Sequence, residues 1–195
     1  MEYTINGVSC IKGEVSSIMT LMRWNEGVES SDGLIHSFRR LNEALEGVYD
    51  LREVECVTYI DPFHHVIVSK GTSGPLTSAA LSSLSKFALY GFLNPHFPGV
   101  ESGIAKVAEC ISNCIFEETD WESDEVIFMK MLELSALTLR CDASSLLTVR
   151  NAWEIYSTCL NIHHQYRASK ILKSEAESTL RHITLFTFSR AVLAS

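Results

Sequence analysis

The sequence predicts an all-α fold, an armadillo- or HEAT-like α-solenoid of about eight helices. Three observations predict it. Apolar residues recur at spacings of three and four along almost the whole chain. Only four prolines and ten glycines interrupt 195 residues. The breaks that do occur are short and polar, so successive helices are expected to pair as hairpins and stack. A net charge of −8 with 46% hydrophobic residues describes a chain able to bury a core. Its acidity argues against nucleic acid or anionic lipid as a simple electrostatic partner. No run of 18 apolar residues is present. The first ten residues lack the basic and apolar regions of a signal peptide, and a cytoplasmic location is expected. The six cysteines are then expected as reduced thiols.

The first helix is expected from Gly7 to Asn25, because Val8, Ile11, Val15, Ile18 and Met22 step by three and four. Glu26 to Gly33 is rich in Gly, Ser and Asp and breaks it. Leu34, Phe38, Leu41, Leu45 and Val48 give a second helix antiparallel to the first. In the next segment Val54, Cys56, Thr58 and Ile60 alternate as a strand would. A lone strand would have no partner, so a short helix is expected instead, capped at Asp61, begun at Pro62 and ending near Ser69.

Around the central stretch, Thr72 to Tyr90, Ser73 or Gly74 caps a helix whose first turn holds Pro75. This helix is expected from Pro75 to Phe92, with the stripe Leu76, Ala80, Leu84 and Phe87 turned inward. Ser78, Ala79, Ser82 and Ser83 make a small-residue face, and Lys86 is the only charge nearby. Asn94, Pro95, Pro98 and Gly99 break the chain. Ile104, Val107, Ala108, Ile111 and Ile115 define a helix from about Val100 to Phe116. An acidic loop, residues 117–125, leads to a helix capped by Ser123 and apolar almost all round as far as Arg140, which implies burial between neighbours. Thr148 caps a helix with the stripe Val149, Ala152, Trp153, Tyr156 and Leu160. The last helix runs from about Ser169 to Leu193.

Catalytic signatures are missing. There is no G-x-S-x-G, P-loop or dinucleotide fingerprint. Cys110 with Cys114, and Cys159 with His163, sit four apart, but without C-x-x-C or H-E-x-x-H spacing they read as core residues. His64–His65 and His163–His164 read as partly exposed helix residues rather than ligands. The acidic loop lacks the glycine and ligand spacing of a calcium loop. No cofactor, catalytic group or metal is expected.

Ordered blocks along the chain carry a resemblance. They include Ile11, Gly13, Glu14, Val15, Met22, Arg23 and Asn25; His36, Ser37, Phe38 and Leu41; and Pro62, Phe63, Val66, Ile67 and Ser69. The run Thr72, Ser73, Gly74, Pro75, Thr77, Ala80, Leu81, Ser83, Lys86, Phe87 and Tyr90 follows. Later blocks are Phe116, Thr119, Asp120, Ser123, Asp124, Glu125, Val126, Met129 and Lys130, then Leu147, Thr148, Glu154, Ile155 and Cys159, and finally Ala176, Glu177, Thr179, Leu180 and Arg190. In this order they resemble the N-terminal dimerisation and cyclophilin-binding (DCB) domain of the large Golgi Arf guanine-nucleotide exchange factors, in the early-Golgi branch with the GNOM and Gea proteins. Glu26–Gly27 and Arg140 to Ser145 depart from that pattern.

The resemblance implies that residues 1–195 are one regulatory domain of a larger exchange factor. It implies a domain without exchange activity, since the catalytic Sec-seven domain is absent. Expected partners are a second copy, the next domain of the parent chain, and a cyclophilin or small GTPase. Localisation would be cytoplasmic and peripheral to Golgi membranes through the parent, in vesicle traffic. The resemblance places Lys86 and Glu125 at the dimer interface. The alternative is a monomeric armadillo-like adaptor binding a small GTPase or a membrane-traffic partner through a groove. A third class, an enzyme or metal protein using the Cys and His residues, requires bound metal or a thiol of depressed pKa.

Overall fold

The computed structural model describes residues 6–24, 31–117 and 120–193. Among them are eight α-helices and no strand: α1 (Gly7–Trp24), α2 (Ser31–Ala44), α3 (Cys56–Val68), α4 (Gly74–Leu89), α5 (Val100–Ser112), α6 (Trp121–Arg140), α7 (Val149–His163) and α8 (Lys170–Leu193). Short 3-10 turns, Leu51–Glu53 and Asp142–Leu146, precede α3 and α7. Most of the expected helices are present. Asn25, most of the first break and Glu118–Thr119 of the acidic loop lie outside the described residues.

The helices form two layers. One contains α2, α3, α5 and α7, and the other contains α1, α4, α6 and α8. The hairpin α3–α4 stacks on α5–α6, which stacks on α7–α8, each in the same sense. Cys56 N–H donates to the Pro98 carbonyl at 2.7 Å and Ile115 N–H to the Ile67 carbonyl at 2.8 Å, so α3 and α5 run parallel. The first hairpin is inverted. Glu14 of α1 meets Ser83 and Lys86 of α4, while Gly7 lies against Phe92. Phe38 of α2 meets Phe63 of α3. An α-solenoid of three stacked hairpins, closed at one end by an antiparallel one, results.

The core explains why α3 overrides its proline. Cys56, Tyr59, Ile60, Phe63 and Ile67 form one buried helical stripe that starts before Pro62. Pro62 therefore sits inside the helix and Asp61 caps nothing, contrary to the expected start. The interior proline costs roughly 3 kcal/mol. Burying two aromatics and several aliphatics, each worth about 1.5–3 kcal/mol, outweighs it. Edge-to-face contacts link Phe38, Phe63 and Phe87 at centroid distances of 5.1 and 5.3 Å across α2, α3 and α4. The Tyr59 hydroxyl donates to the Phe92 carbonyl at 2.7 Å, so even this buried polar atom has a partner.

Several boundaries differ from expectation for local reasons. Helix α4 ends at Leu89, not Phe92. Gly91 has a φ of +75°, and the Phe92 N–H returns to the Phe87 carbonyl while Gly91 N–H reaches Ala88, a Schellman closure. Asp120, not Ser123, caps α6: its carboxylate accepts from Ser123 N–H at 3.0 Å. Helix α5 stops at Ser112, which leaves Ile115 at the surface. Thr148 does cap α7, in a reciprocal pair with Asn151. The inward stripe of α7 is Ala152, Ile155, Cys159 and Ile162, and Val149 and Trp153 face outward.

Candidate functional site

The thiols are the first group with chemical potential, and their environment silences them. All six cysteines are free. Burial pushes Cys56, Cys141 and Cys159 up to about 11 and Cys114 to about 12. Cys110 is also raised, chiefly by burial. Cys10 is raised by burial first and then by the nearby Glu14 carboxylate. None carries the depressed pKa that marks a nucleophilic thiol.

Lys86 is half-exposed on α4, close to the half-buried small residues Ser78, Ala79 and Ser82. Its Nζ lies 2.6 Å from Glu14 Oε1 in α1. The other carboxylate oxygen, Oε2, accepts from Ser83 Oγ at 2.8 Å. The role of Glu14 was not read from the sequence: the inverted hairpin that brings α1 beside α4 leaves no periodic signal. Glu125, in the first turns of α6, accepts from Trp121 Nε1 at 3.1 Å and from the hydroxyl and backbone N–H of Ser169, just before α8. Within one chain, then, Lys86 and Glu125 belong to two separate networks on the same layer.

That layer presents an apolar outer surface. Leu89 is 63% exposed and Val126 52%. Leu89, Met129, Ala136 and Leu137 line a groove of about 420 Å³ between α4 and α6, rimmed by Lys130, Glu133, Arg140 and Glu175. A second apolar groove, of about 220 Å³, lies between α7 and α8 and is lined by Val149, Trp153, Tyr156 and Phe188. Trp153 and Tyr156 stack there at a centroid distance of 5.8 Å.

The opposite layer holds a cluster of polar groups across α3 and α5. Lys106 Nζ is 2.6 Å from Asp61 Oδ1, and His65 Nδ1 is 3.5 Å from Asp61 Oδ2. His64 Nε2 is 3.1 Å from Glu109 Oε2. The His64 ring is buried, and burial together with the Lys106 ammonium lowers its pKa, partly opposed by Glu109. Reading both histidines as partly exposed helix residues was wrong for the buried His64 and missed this cluster, because Lys106 and Glu109 lie more than 40 positions away. Among the described residues no helix is long and apolar enough to cross a membrane.

No family model matches the chain. It is 28% identical over 195 residues to a Caenorhabditis elegans homologue of the Golgi-specific brefeldin A-resistance guanine nucleotide exchange factor, covering 95% of this chain and 10% of that protein. It is 27% identical over 190 residues to the Arabidopsis thaliana ARF guanine-nucleotide exchange factor GNOM, covering 92% of this chain and 13% of GNOM. Against the Saccharomyces cerevisiae ARF guanine-nucleotide exchange factor 2 the identity is 24% over 160 residues, with 82% of this chain and 11% of the relative covered. The chain thus spans about a tenth of the length of these relatives.

Proposed function

We propose that this chain, whose homologues are Golgi Arf guanine-nucleotide exchange factors, is the N-terminal DCB-type domain of such a factor, a non-catalytic module for dimerisation and regulation. The observation that carries this reading is the match of nearly the whole chain to a tenth of each relative. Nucleotide exchange then resides elsewhere in the parent, and this piece serves assembly at Golgi membranes. The α-solenoid suits that role, because it offers broad surfaces for partners.

Dimerisation is assigned to the outer surface of α4 and α6. Small residues beside Lys86 allow close approach, and exposed Leu89 and Val126 supply apolar contact. Lys86 donates to Glu14 yet retains further ammonium hydrogens, so it is able to bridge to the partner's Glu125 without leaving its own chain. Across a two-fold axis that contact occurs twice. The α7–α8 groove is the surface for the adjacent domain of the parent, or for a cyclophilin or small GTPase.

Sedimentation equilibrium tests the reading. The expected result is a dimer for the wild type, monomers for Lys86→Glu and Glu125→Lys, and a dimer again for the double reversal. Glu14→Gln, which removes only the intrachain pair, is expected to remain dimeric. A folded wild-type monomer at every concentration defeats dimerisation by this chain. Such a monomer favours the adaptor reading, in which Trp153→Ala in the α7–α8 groove abolishes partner binding. Added to Arf loaded with GDP, the chain is expected to leave nucleotide release unaccelerated.

A further inference from the structure

We infer that Asp61, His64 and His65 of α3, closed by Glu109 of α5, form a site for one divalent transition-metal ion of the zinc type. One donor atom from each of Asp61, His64 and His65 lies within 4.8 Å of the other two. The spacing accounts for this: positions i, i+3 and i+4 share one side of a helix. Zinc bonds to imidazole and carboxylate at about 2.0–2.2 Å, so a tetrahedron of such ligands has edges of about 3.4 Å. The His65–Asp61 separation of 3.5 Å and the His64–Glu109 separation of 3.1 Å are edges of that size. Glu109 stands outside that three-residue group, so its carboxylate must turn to join a common centre.

A second observation points the same way. His64 is 6% exposed, and neither of its ring nitrogens has a partner in hydrogen-bond geometry. Glu109 Oε2 approaches Nε2 at 3.1 Å as an ion-pair contact without full hydrogen-bond geometry. A buried imidazole without partners is costly, and metal coordination gives a nitrogen its bond. Two imidazoles and two carboxylates suit zinc better than calcium or magnesium, which take oxygen ligands. The surroundings are firm, because the backbone bonds from Cys56 to Pro98 and from Ile115 to Ile67 clamp α3 to α5 at both ends. The side chains of Asp61 and His65 are 38% and 49% exposed, so an ion has a path in. Lys106 holds Asp61 in the absence of metal and must turn aside, which makes it a competitor.

The experiment titrates chelator-treated chain with zinc chloride by calorimetry and repeats the titration with cobalt(II), followed by absorption. One zinc per chain is expected. Asp61→Asn, at a half-buried position, and His65→Ala, at an exposed one, are each expected to weaken binding by about tenfold or more. Lys106→Gln is expected to tighten it. Cobalt is expected to give d–d bands without a thiolate charge-transfer band. Circular dichroism confirms that each variant is folded, and no outcome depends on replacing buried His64. Absence of saturable zinc binding overturns the assignment. So does affinity unchanged in both Asp61→Asn and His65→Ala, or a thiolate band, which transfers the ion to the cysteines.

Discussion

The contact between α3 and α5 is close enough that one methyl group tests it. Gly103 in α5 packs directly on Cys56, the first residue of α3. A Cβ added at Gly103 overlaps Cys56 Sγ and comes within 3.1 Å of Cys56 Cβ. Cys56 is fully buried, and its backbone N–H is tied to Pro98, so neither the side chain nor the helix start has room to retreat. Overpacking of this kind costs about 1–3 kcal/mol. The alanine returns up to about 1 kcal/mol through its better helix propensity. Gly103→Ala is therefore expected to destabilise by about 1–2 kcal/mol, lowering the melting temperature by roughly 2–8 °C in a chain of this size. Removing the sulfur should relieve the clash. In the pair Cys56→Ala and Gly103→Ala, a favourable coupling of roughly 1 kcal/mol is expected. Urea unfolding followed by far-ultraviolet circular dichroism measures all four corners of the cycle. A neutral or stabilising Gly103→Ala, or additivity in the double variant, refutes the claim that these two helices meet without slack.

Three further outcomes are expected. Tyr59→Phe deletes a buried donor and strands the Phe92 carbonyl, a loss of about 1–3 kcal/mol readable in the same unfolding experiment. Hydrogen bonds from the Ser123 hydroxyl and backbone N–H hold the Asp120 carboxyl below its ordinary pKa. A depressed folded value means that its cap stabilises above the unfolded pKa of about 3.9 and is lost as pH falls through the lower folded value. The difference in melting temperature between wild type and Asp120→Ala should thus be full near neutrality and vanish in acid. A difference independent of pH contradicts the cap. Cys56, Cys110, Cys141 and Cys159 are buried with raised pKa values, so a thiol reagent near neutral pH should label them only after denaturant is added. Rapid native labelling of all four contradicts the packing.

The sequence revealed what repeats along the chain and little of what crosses it. The stripe of α1 was legible because Ile11, Val15 and Ile18 all point one way, and all three are fully buried. Thr148 was legible because a capping residue acts within four positions of itself. Pro62 misled because its local penalty is visible and the burial that offsets it is not. Trp153 misled because the buried set of α7, with small Ala152 and Cys159, is phased beside the bulkier residues that looked like a stripe. Ser123 competed with Asp120 for one cap, and the carboxylate won with two bonds to Ser123 itself. The surroundings of Lys86 and His64 were illegible for a common reason. Glu14 is 72 residues from Lys86 and Glu109 is 45 from His64, so only the stacking of hairpins brings them together.

The inverted first hairpin also sets an order in time. Residues of α1 and α2 are made first, yet the apolar stripe of α1 docks on α4 and that of α2 on α3. Closing the span from Glu14 to Ser83 and Lys86 crosses 69 and 72 positions. Loop closure over such a distance must be met before any contact rewards it. Until α3 and α4 have been synthesised, α1 and α2 have only each other to pack against. The later hairpins each meet a completed predecessor as they form. The helices are therefore joined in two unlike ways: by stacking forward from α3–α4, and by a single backward clasp.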